Sequence, residues 1–415
     1  MRVAIVHDYL NQYGGAERVL EELGGMFPDA PVFTSMYWPE RMSARIRAMD
    51  IRVSFMQRLP GVVRRHQWYL PLYTQAVERH DLSEFDLVIS NSSAFARGAI
   101  CRPDAVHVCY CLTPMRWAWN YDAYVAREEL GSVSRAILPA FIDRLRDWEI
   151  GAVDRVDRYV AISTEVARRI RDWYGRESDV VYPPVSVERF RPAAPEDVGD
   201  YALVVSRLVP YKRIDLAIDA CHRLGLPLKI AGSGRDEDAL RRRAGPTVDF
   251  LGRVPDADLN DLMARSRVFL FPGEEDFGIT PLESNAAGRP VVAYAAGGAL
   301  DTVRDGISGR YFHEQTVDSL ADALADAYEI PWSSAAIRRH AEAFAPAVFR
   351  ERLSSAIGAA IVTKRNERAG ARVSDRDITL FLANEVWPRI PADVLGKPVP
   401  RAEWEAILGY IPDGV

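Results

Sequence analysis

Glu275 and Glu283, with seven residues between them, bracket Gly278-Ile-Thr-Pro281. The apolar run Val268-Phe-Leu-Phe271 before them reads as a buried strand. Thr280, Pro281 and Glu283 fit the N-cap, N1 and N3 positions of a following helix. Free N–H groups of Gly278, Ile279 and Thr280, together with the helix dipole, would attract a phosphate. Glu275 precedes the helix, so the two carboxylates do not share a helix face. A ligand between them would set phosphate on the amides and hydroxyls on the carboxylates, and a sugar nucleotide carries those parts in that order. A plainer reading stays open on these residues alone: Glu283 completes a capping box with Thr280, and Glu275 is solvated.

Two cations stand upstream in Ser206-Arg-Leu-Val-Pro-Tyr-Lys-Arg213, directly after a strand-like run. Arg207 and Lys212 there can neutralise a diphosphate. Isolated, they would read equally as solvated loop cations. Gly14-Gly15, between the first strand and a helix, lets backbone approach a ligand closely, although a simple turn also explains two glycines. The pairs Asp236/Asp238 and Asp256/Asp258 sit at helix starts and read as caps or N-terminal charges rather than metal ligands. Ala231-Gly-Ser-Gly234 follows a strand but lacks the third glycine of a dinucleotide-binding fingerprint, which argues against a dehydrogenase.

Short apolar runs alternate with helical stretches in two series. The first has strands at 2–6, 85–90, 106–112, 158–163 and 180–182, and the second at 201–206, 227–231, 247–252, 267–271 and 290–294. Two α/β domains of doubly wound, Rossmann-like type facing a cleft are the expectation, 1–185 and 186–364, with the last helix returning to the first domain. Pro-rich residues 183–199 read as a linker. Residues 365–415 form an extension of unassigned role, with a short helix expected over 379–386.

The chain has 415 residues, 48% hydrophobic and 27% charged, and a net charge of -6. The balance does not favour nucleic acid as a partner. No apolar run approaches the roughly 18 residues of a membrane span. Four cysteines without a Cys-x-x-Cys pair suit a reducing, cytoplasmic setting. The stretch from Arg41 to Arg65 holds seven arginines against Asp50 alone, interleaved with or followed by Phe55, Met56, Leu59, Val62, Val63, Trp68 and Tyr69. Such a stretch can rest on anionic lipid at the inner face of the membrane, or form the solvated face of an ordinary amphipathic helix.

Ser206-Arg-Leu-x-x-x-Lys212 together with Glu275-x(7)-Glu283 resembles the retaining glycosyltransferases of family 4, which have the GT-B fold. Gly14-Gly15-Ala16-Glu17 is similar to the family's first-domain glycine loop, and the similarity runs from residue 1 to about 360. Leu70-Pro-Leu, His107-Val-Cys-Tyr-Cys-Leu-Thr-Pro-Met-Arg116 and Val181-Tyr-Pro-Pro-Val185 resemble its O-antigen mannosyltransferase branch. The resemblance implies a hexose, mannose from GDP-mannose foremost, moved to a hydroxyl of a saccharide or lipid-linked acceptor. It implies no metal and no cofactor beyond the nucleotide-sugar substrate.

By the same resemblance, Arg207 and Lys212 hold the diphosphate and stabilise the leaving group. Glu283 binds the ribose, Glu275 contacts the transferred sugar, and Phe277, Gly278, Ile279 and Thr280 supply backbone contacts. Gly14 and Gly15 close on the phosphates, Gly252-Arg253 lies near the base, and Leu112, Thr113 and Arg116 lie near the sugar or acceptor. One position departs from the branch: Leu112 stands where a His is expected. His107 points to the opposite strand face and does not replace it. A donor other than GDP-mannose, such as UDP-glucose or a deoxysugar nucleotide, therefore stays open, as does a sugar-nucleotide-binding protein with weak or lost catalysis.

Overall fold

A computed structural model describes residues 1–119 and 132–369. The apolar runs form short strands, all paired in parallel, in two sheets. The first holds β1 (Val3–His7), β2 (Val32–Thr34), β3 (Ile51–Val53), β4 (Leu87–Ser92), β5 (Val106–Cys111), β6 (Arg158–Ala161) and β7 (Ser178–Val180) in the order β3-β2-β1-β4-β5-β6-β7. The second holds β8 (Ala202–Val205), β9 (Leu228–Ala231), β10 (Val248–Gly252), β11 (Val268–Phe271), β12 (Val291–Tyr294) and β13 (Gly309–Phe312) in the order β10-β9-β8-β11-β12-β13. Every residue of β4, β5 and β11 is buried, as expected of parallel strands covered on both faces.

The chain divides into two compact units, one of Met1–Tyr182 with the stretch from Phe349, the other of Pro183–Val348. From Phe349 on, the helix Pro346–Ala369 is tied down within the first unit by Arg350–Glu22 and Lys364–Asp157, both at 2.6 Å, and by Phe349 edge-on to Tyr110. Residues 183–199 are not a free linker. Val185, Val187 and Phe190 are buried, and Arg338 donates to the carbonyls of Phe190 (2.6 Å), Ala286 (2.5 Å) and Val187 (3.3 Å). Proline suppresses helix there, but three apolar anchors fasten the segment to the second unit. The helix expected over 379–386 lies outside the described residues.

The basic stretch is broken into short pieces rather than one amphipathic helix: Ala44–Arg47, β3, a turn at Phe55–Arg58 and Val62–Arg65. Met56 and Val62 are buried, while Phe55, Leu59, Val63 and Tyr69 lean on the core. Trp68 alone of the named apolar residues is strongly exposed, at 72%, with Arg65 over its ring. No described helix is long and apolar enough to cross a membrane.

His107, at the start of β5, is a core residue. Its Nε2 is 2.9 Å from Ser90 Oγ and its Nδ1 is 2.9 Å from the Arg155 carbonyl. Burial pushes its pKa down to about 4, and that of His80 likewise. A neutral imidazole in the fold against an unfolded pKa of about 6.5 means that the unfolded chain binds more protons between those values. The stabilisation is complete above pH ~6.5 and is lost as pH falls toward about 4. For fully buried His107 the loss amounts to about 3 kcal/mol at most. Thermal unfolding of His107→Gln beside wild type should show the difference in Tm between them shrinking as pH is lowered through this window. A constant difference would contradict the assignment.

Candidate active site

In the second sheet the chain leaves β8 toward β9 but leaves β11 toward β12. Loops after two adjacent strands therefore diverge, and a crevice opens at their carboxyl ends. The cationic loop follows β8 and the acidic loop follows β11, so this topology sets the two motifs side by side. Lys212 Nζ forms an ion pair with Glu275 Oε1, and both groups are largely buried. Backbone packing reinforces the contact. A Cβ on Gly273 would lie 2.8 Å from Lys212 Cα, and one on Gly298 would lie 2.2 Å from Phe277 Cα. Gly298 N–H donates to the Glu275 carbonyl at 2.8 Å. Gln315 takes a hydrogen bond from Arg213 (3.4 Å) and donates to the Pro272 carbonyl (3.1 Å), bridging the loops. Arg213 has φ of 51°, the left-handed region, and is held there by Asp215.

The helix after the acidic loop begins differently from the expectation. It spans Ile279–Ala286 with Gly278 at the N-cap, φ 93°, where a Cβ would stand 2.8 Å from Phe271 Cζ. Thr280 is thus the second helical residue, Pro281 the third and Glu283 the fifth. The capping box between Thr280 and Glu283 does not exist. Proline fits because the first turn has no intrahelical acceptors for its N–H groups. Glu283 is 3% exposed, well inside the helix.

Other expected residues are more dispersed. Arg207 is exposed, 3.4 Å from the Tyr211 hydroxyl. Gly232 and Gly234 let β9's loop pack on the backbone of Ser206 and Leu208. Arg253 is exposed at the end of β10, on the edge strand, after Gly252 at φ 63°. Asp256 and Asp258 do lie in a helix's first turn, and Asp256 pairs with Arg189 at 2.8 Å.

In the first unit Gly14 caps the helix Gly15–Met26, and its N–H donates to Glu17 Oε2 at 2.7 Å. Glu17 Oε1 lies 3.6 Å from His7 Nε2, and Asn91 bonds the Ala16 carbonyl at 2.9 Å, so a buried polar network sets the glycine loop. Next to it Asp8 accepts from the backbone amides of Ser93, Ala94, Phe95 and Ala96 at 2.6–3.0 Å, and from the Ser93 hydroxyl at 2.8 Å. The loop after β5 hangs on a fully buried pair, Arg97–Glu149. Glu149 also accepts from Met115 N–H (3.0 Å), Trp119 Nε1 (2.7 Å) and the Tyr174 hydroxyl. Thr113 is held through its carbonyl by Arg97 and through its hydroxyl by Arg169. Half-buried Leu112 donates its N–H to the Ser92 carbonyl, and Arg116 starts the short helix Arg116–Trp119. Asp8, Arg97, Glu149 and Gln315 belong to no motif in the sequence. Only Asp8, at a strand end, gives any local signal.

Two family models match this chain: Glycosyltransferase Family 4 over residues 13–189 and Glycosyl transferases group 1 over residues 187–344. A GDP-mannose-dependent monoacylated alpha-(1-6)-phosphatidylinositol monomannoside mannosyltransferase of Corynebacterium glutamicum is 34% identical over 51% of this chain. The chain spans 63% of that relative's length. A D-inositol 3-phosphate glycosyltransferase of Geodermatophilus obscurus is 32% identical over 341 residues, 72% of this chain and 74% of that protein. Among solved structures, Anabaena HepE in complex with UDP superposes with a TM-score of 0.63 at 19% identity, covering 86% of this chain and all of that one, a likeness of fold. With two parallel Rossmann-like sheets and a relative matched along most of its length, the chain belongs to the group 1, family 4 glycosyltransferases of GT-B fold.

Proposed function

We propose that the chain is a retaining transferase that moves a hexose from a nucleoside diphosphate sugar, GDP-mannose foremost, to a hydroxyl of a saccharide or lipid-linked acceptor. The observation that carries this reading is the Lys212–Glu275 pair at the crevice of the second sheet, next to the Gly278 helix start. Breaking the bond between the anomeric carbon and the diphosphate builds negative charge on the leaving oxygen. Lys212 and Arg207 supply positive charge there, and the amides at Gly278, Ile279 and Thr280 supply fixed dipoles. This stabilises the leaving group electrostatically without calling on a metal. Glu275 faces the transferred sugar and keeps the Lys212 ammonium in position. Glu283 grips the ribose. An ion-pair-like front-face displacement then retains configuration without an enzyme nucleophile.

The name of the Corynebacterium relative favours a GDP-mannose donor, and the names of both relatives favour phosphate-bearing acceptors, whereas the solved neighbour holds UDP. Donor and base are therefore read from a panel of GDP- and UDP-sugars scored for transfer and hydrolysis. The place of action fitting a lipid-linked acceptor is the cytoplasmic face of a membrane, with Trp68 and its neighbouring arginines as the contact.

Arg207→Ala and Lys212→Ala should each slow transfer on the order of 10²-fold, as loss of one oxyanion donor does. Glu283→Gln should weaken GDP or UDP binding, while Glu275→Gln should damage transfer more than nucleotide binding. Calorimetric affinities beside initial rates decide this, and near-normal turnover in both cation variants would remove the assignment.

Leu112 offers an apolar wall where the branch resemblance has His. Leu112→His should change the donor ranking among GDP-mannose, UDP-glucose and deoxysugar nucleotides. Unchanged rate and ranking would take Leu112 out of the donor site. Turnover by the variant alone would favour a binding protein that has lost catalysis.

A further inference from the structure

Gln315 follows β13, at the far edge of the second sheet, yet it touches the loops that leave β8 and β11. The strand order β8-β11-β12-β13 puts β13 three places from β8, about 14 Å at ordinary strand spacing. The helices close that gap. Leu216, Ala217 and Ala220 of the helix Ile214–Leu224 share one buried cluster with Leu320, Ala321 and Leu324 of the helix Val317–Glu329. Arg213 is the N-cap of the first helix and Thr316 that of the second, so packing the helices brings Gln315 to Arg213.

The carboxamide can face only one way. Its Oε1 accepts from Arg213 Nη1 at 3.4 Å, and its Nε2 donates to the Pro272 carbonyl at 3.1 Å. The reverse orientation would set N–H against a guanidinium and oxygen against a carbonyl. Arg213 directly follows Lys212, and Pro272 stands just ahead of Gly273 and Glu275. Both attachment points are stiff. Asp215 holds the Arg213 guanidinium twice, at 3.1 Å on Nε and 3.2 Å on Nη2. Pro272 is buried, and Gly273 after it packs on the Lys212 backbone. One uncharged side chain therefore joins the base of the cationic loop to the base of the acidic loop.

The Lys212–Glu275 ion pair links the same loops. A donor diphosphate competes with Glu275 for the ammonium, so that link weakens as a donor binds. The Gln315 link uses neither group. We propose that Gln315 is a positioning residue for sugar transfer, keeping Lys212 and Glu275 in register once a diphosphate has drawn the ammonium from the carboxylate. The inference rests on the transferase reading of this crevice. A flexible lysine stem follows a bound phosphate through a small loop shift, so nucleotide is still gripped when the register slips. The transition state is less forgiving, because its donors must already be aimed at the oxygen where charge develops. Glutamate at this position would accept from Arg213 but could not donate to the Pro272 carbonyl.

Gln315→Ala and the isosteric Gln315→Glu, in the full chain, test this on two readouts. The first is steady-state kinetics with a panel of GDP- and UDP-sugars, beside calorimetric affinity for GDP and UDP. In each variant kcat should fall about tenfold or more, while donor KM and nucleotide affinity stay within about threefold of wild type. The second is amide hydrogen exchange, which needs no turnover. Gln315→Ala should speed exchange in both loops, 207–213 and 273–278. Gln315→Glu keeps the Arg213 contact and should speed it in 273–278 alone. Glu314, exposed and next in sequence, is the control: Glu314→Ala should match wild type in both readouts. Unchanged kcat in both variants would overturn the proposal, as would a raised KM with kcat intact, the mark of a ground-state contact. Faster exchange throughout the second unit with a lowered Tm would also overturn it, since that pattern belongs to a merely structural side chain. Wild type that transfers sugar from no donor would overturn the transferase reading, and the exchange pattern would still decide separately whether Gln315 couples the loops.

Discussion

Parallel strand pairing is the constraint on which the rest depends. In a parallel sheet every carboxyl end lies along one edge, so loops distant in sequence are gathered there without any contact needing to be designed between them. The glycine loop after β1, the Leu112 loop after β5, the cationic loop after β8 and the acidic loop after β11 all begin at such edges. Strand order then selects neighbours. With β8 beside β11, Lys212 and Glu275 meet although sixty-three residues separate them.

Once loops are gathered, backbone must approach backbone, and that selects glycine at a few positions. Gly273 and Gly298 hold the acidic loop at distances that a Cβ would forbid. Side chains of high cost do comparable work in the first unit. The Arg97–Glu149 pair is completely buried, a placement that repays desolvation only when its hydrogen bonds are made. Glu149 makes them with Met115, Trp119 and Tyr174, and so converts an expensive charge into the fixed shape of one loop.

The long apolar runs are legible in sequence because parallel strands are buried on both faces; Val268–Phe271 is one. Strands β2 and β3 are not, since three residues such as Val32-Phe-Thr34 carry no period. The helix start lies two positions earlier than its motif suggests. Proline is tolerated anywhere in a first turn, so Pro281 does not fix the register, whereas Gly278, with its positive φ, does. The linker expectation fails because proline and charge outweigh Val185, Val187 and Phe190 in a reading by composition. The Glu283 and Lys212 motifs are legible as spacing, but Gln315, which braces their loops, comes from another element and leaves no local trace.

Asp8 makes the two sheets unequal. The first sheet has its own diverging loops, after β1 and β4, but the amides gathered there, from Ser93 to Ala96, already receive a carboxylate. That anion is tethered, so its local concentration never falls, and a visiting phosphate would have to displace it while leaving Asp8 buried and unpaired. Two similar sheets thereby differ at one place: in the first, a single side chain fixes the loop after β4 to the end of β1.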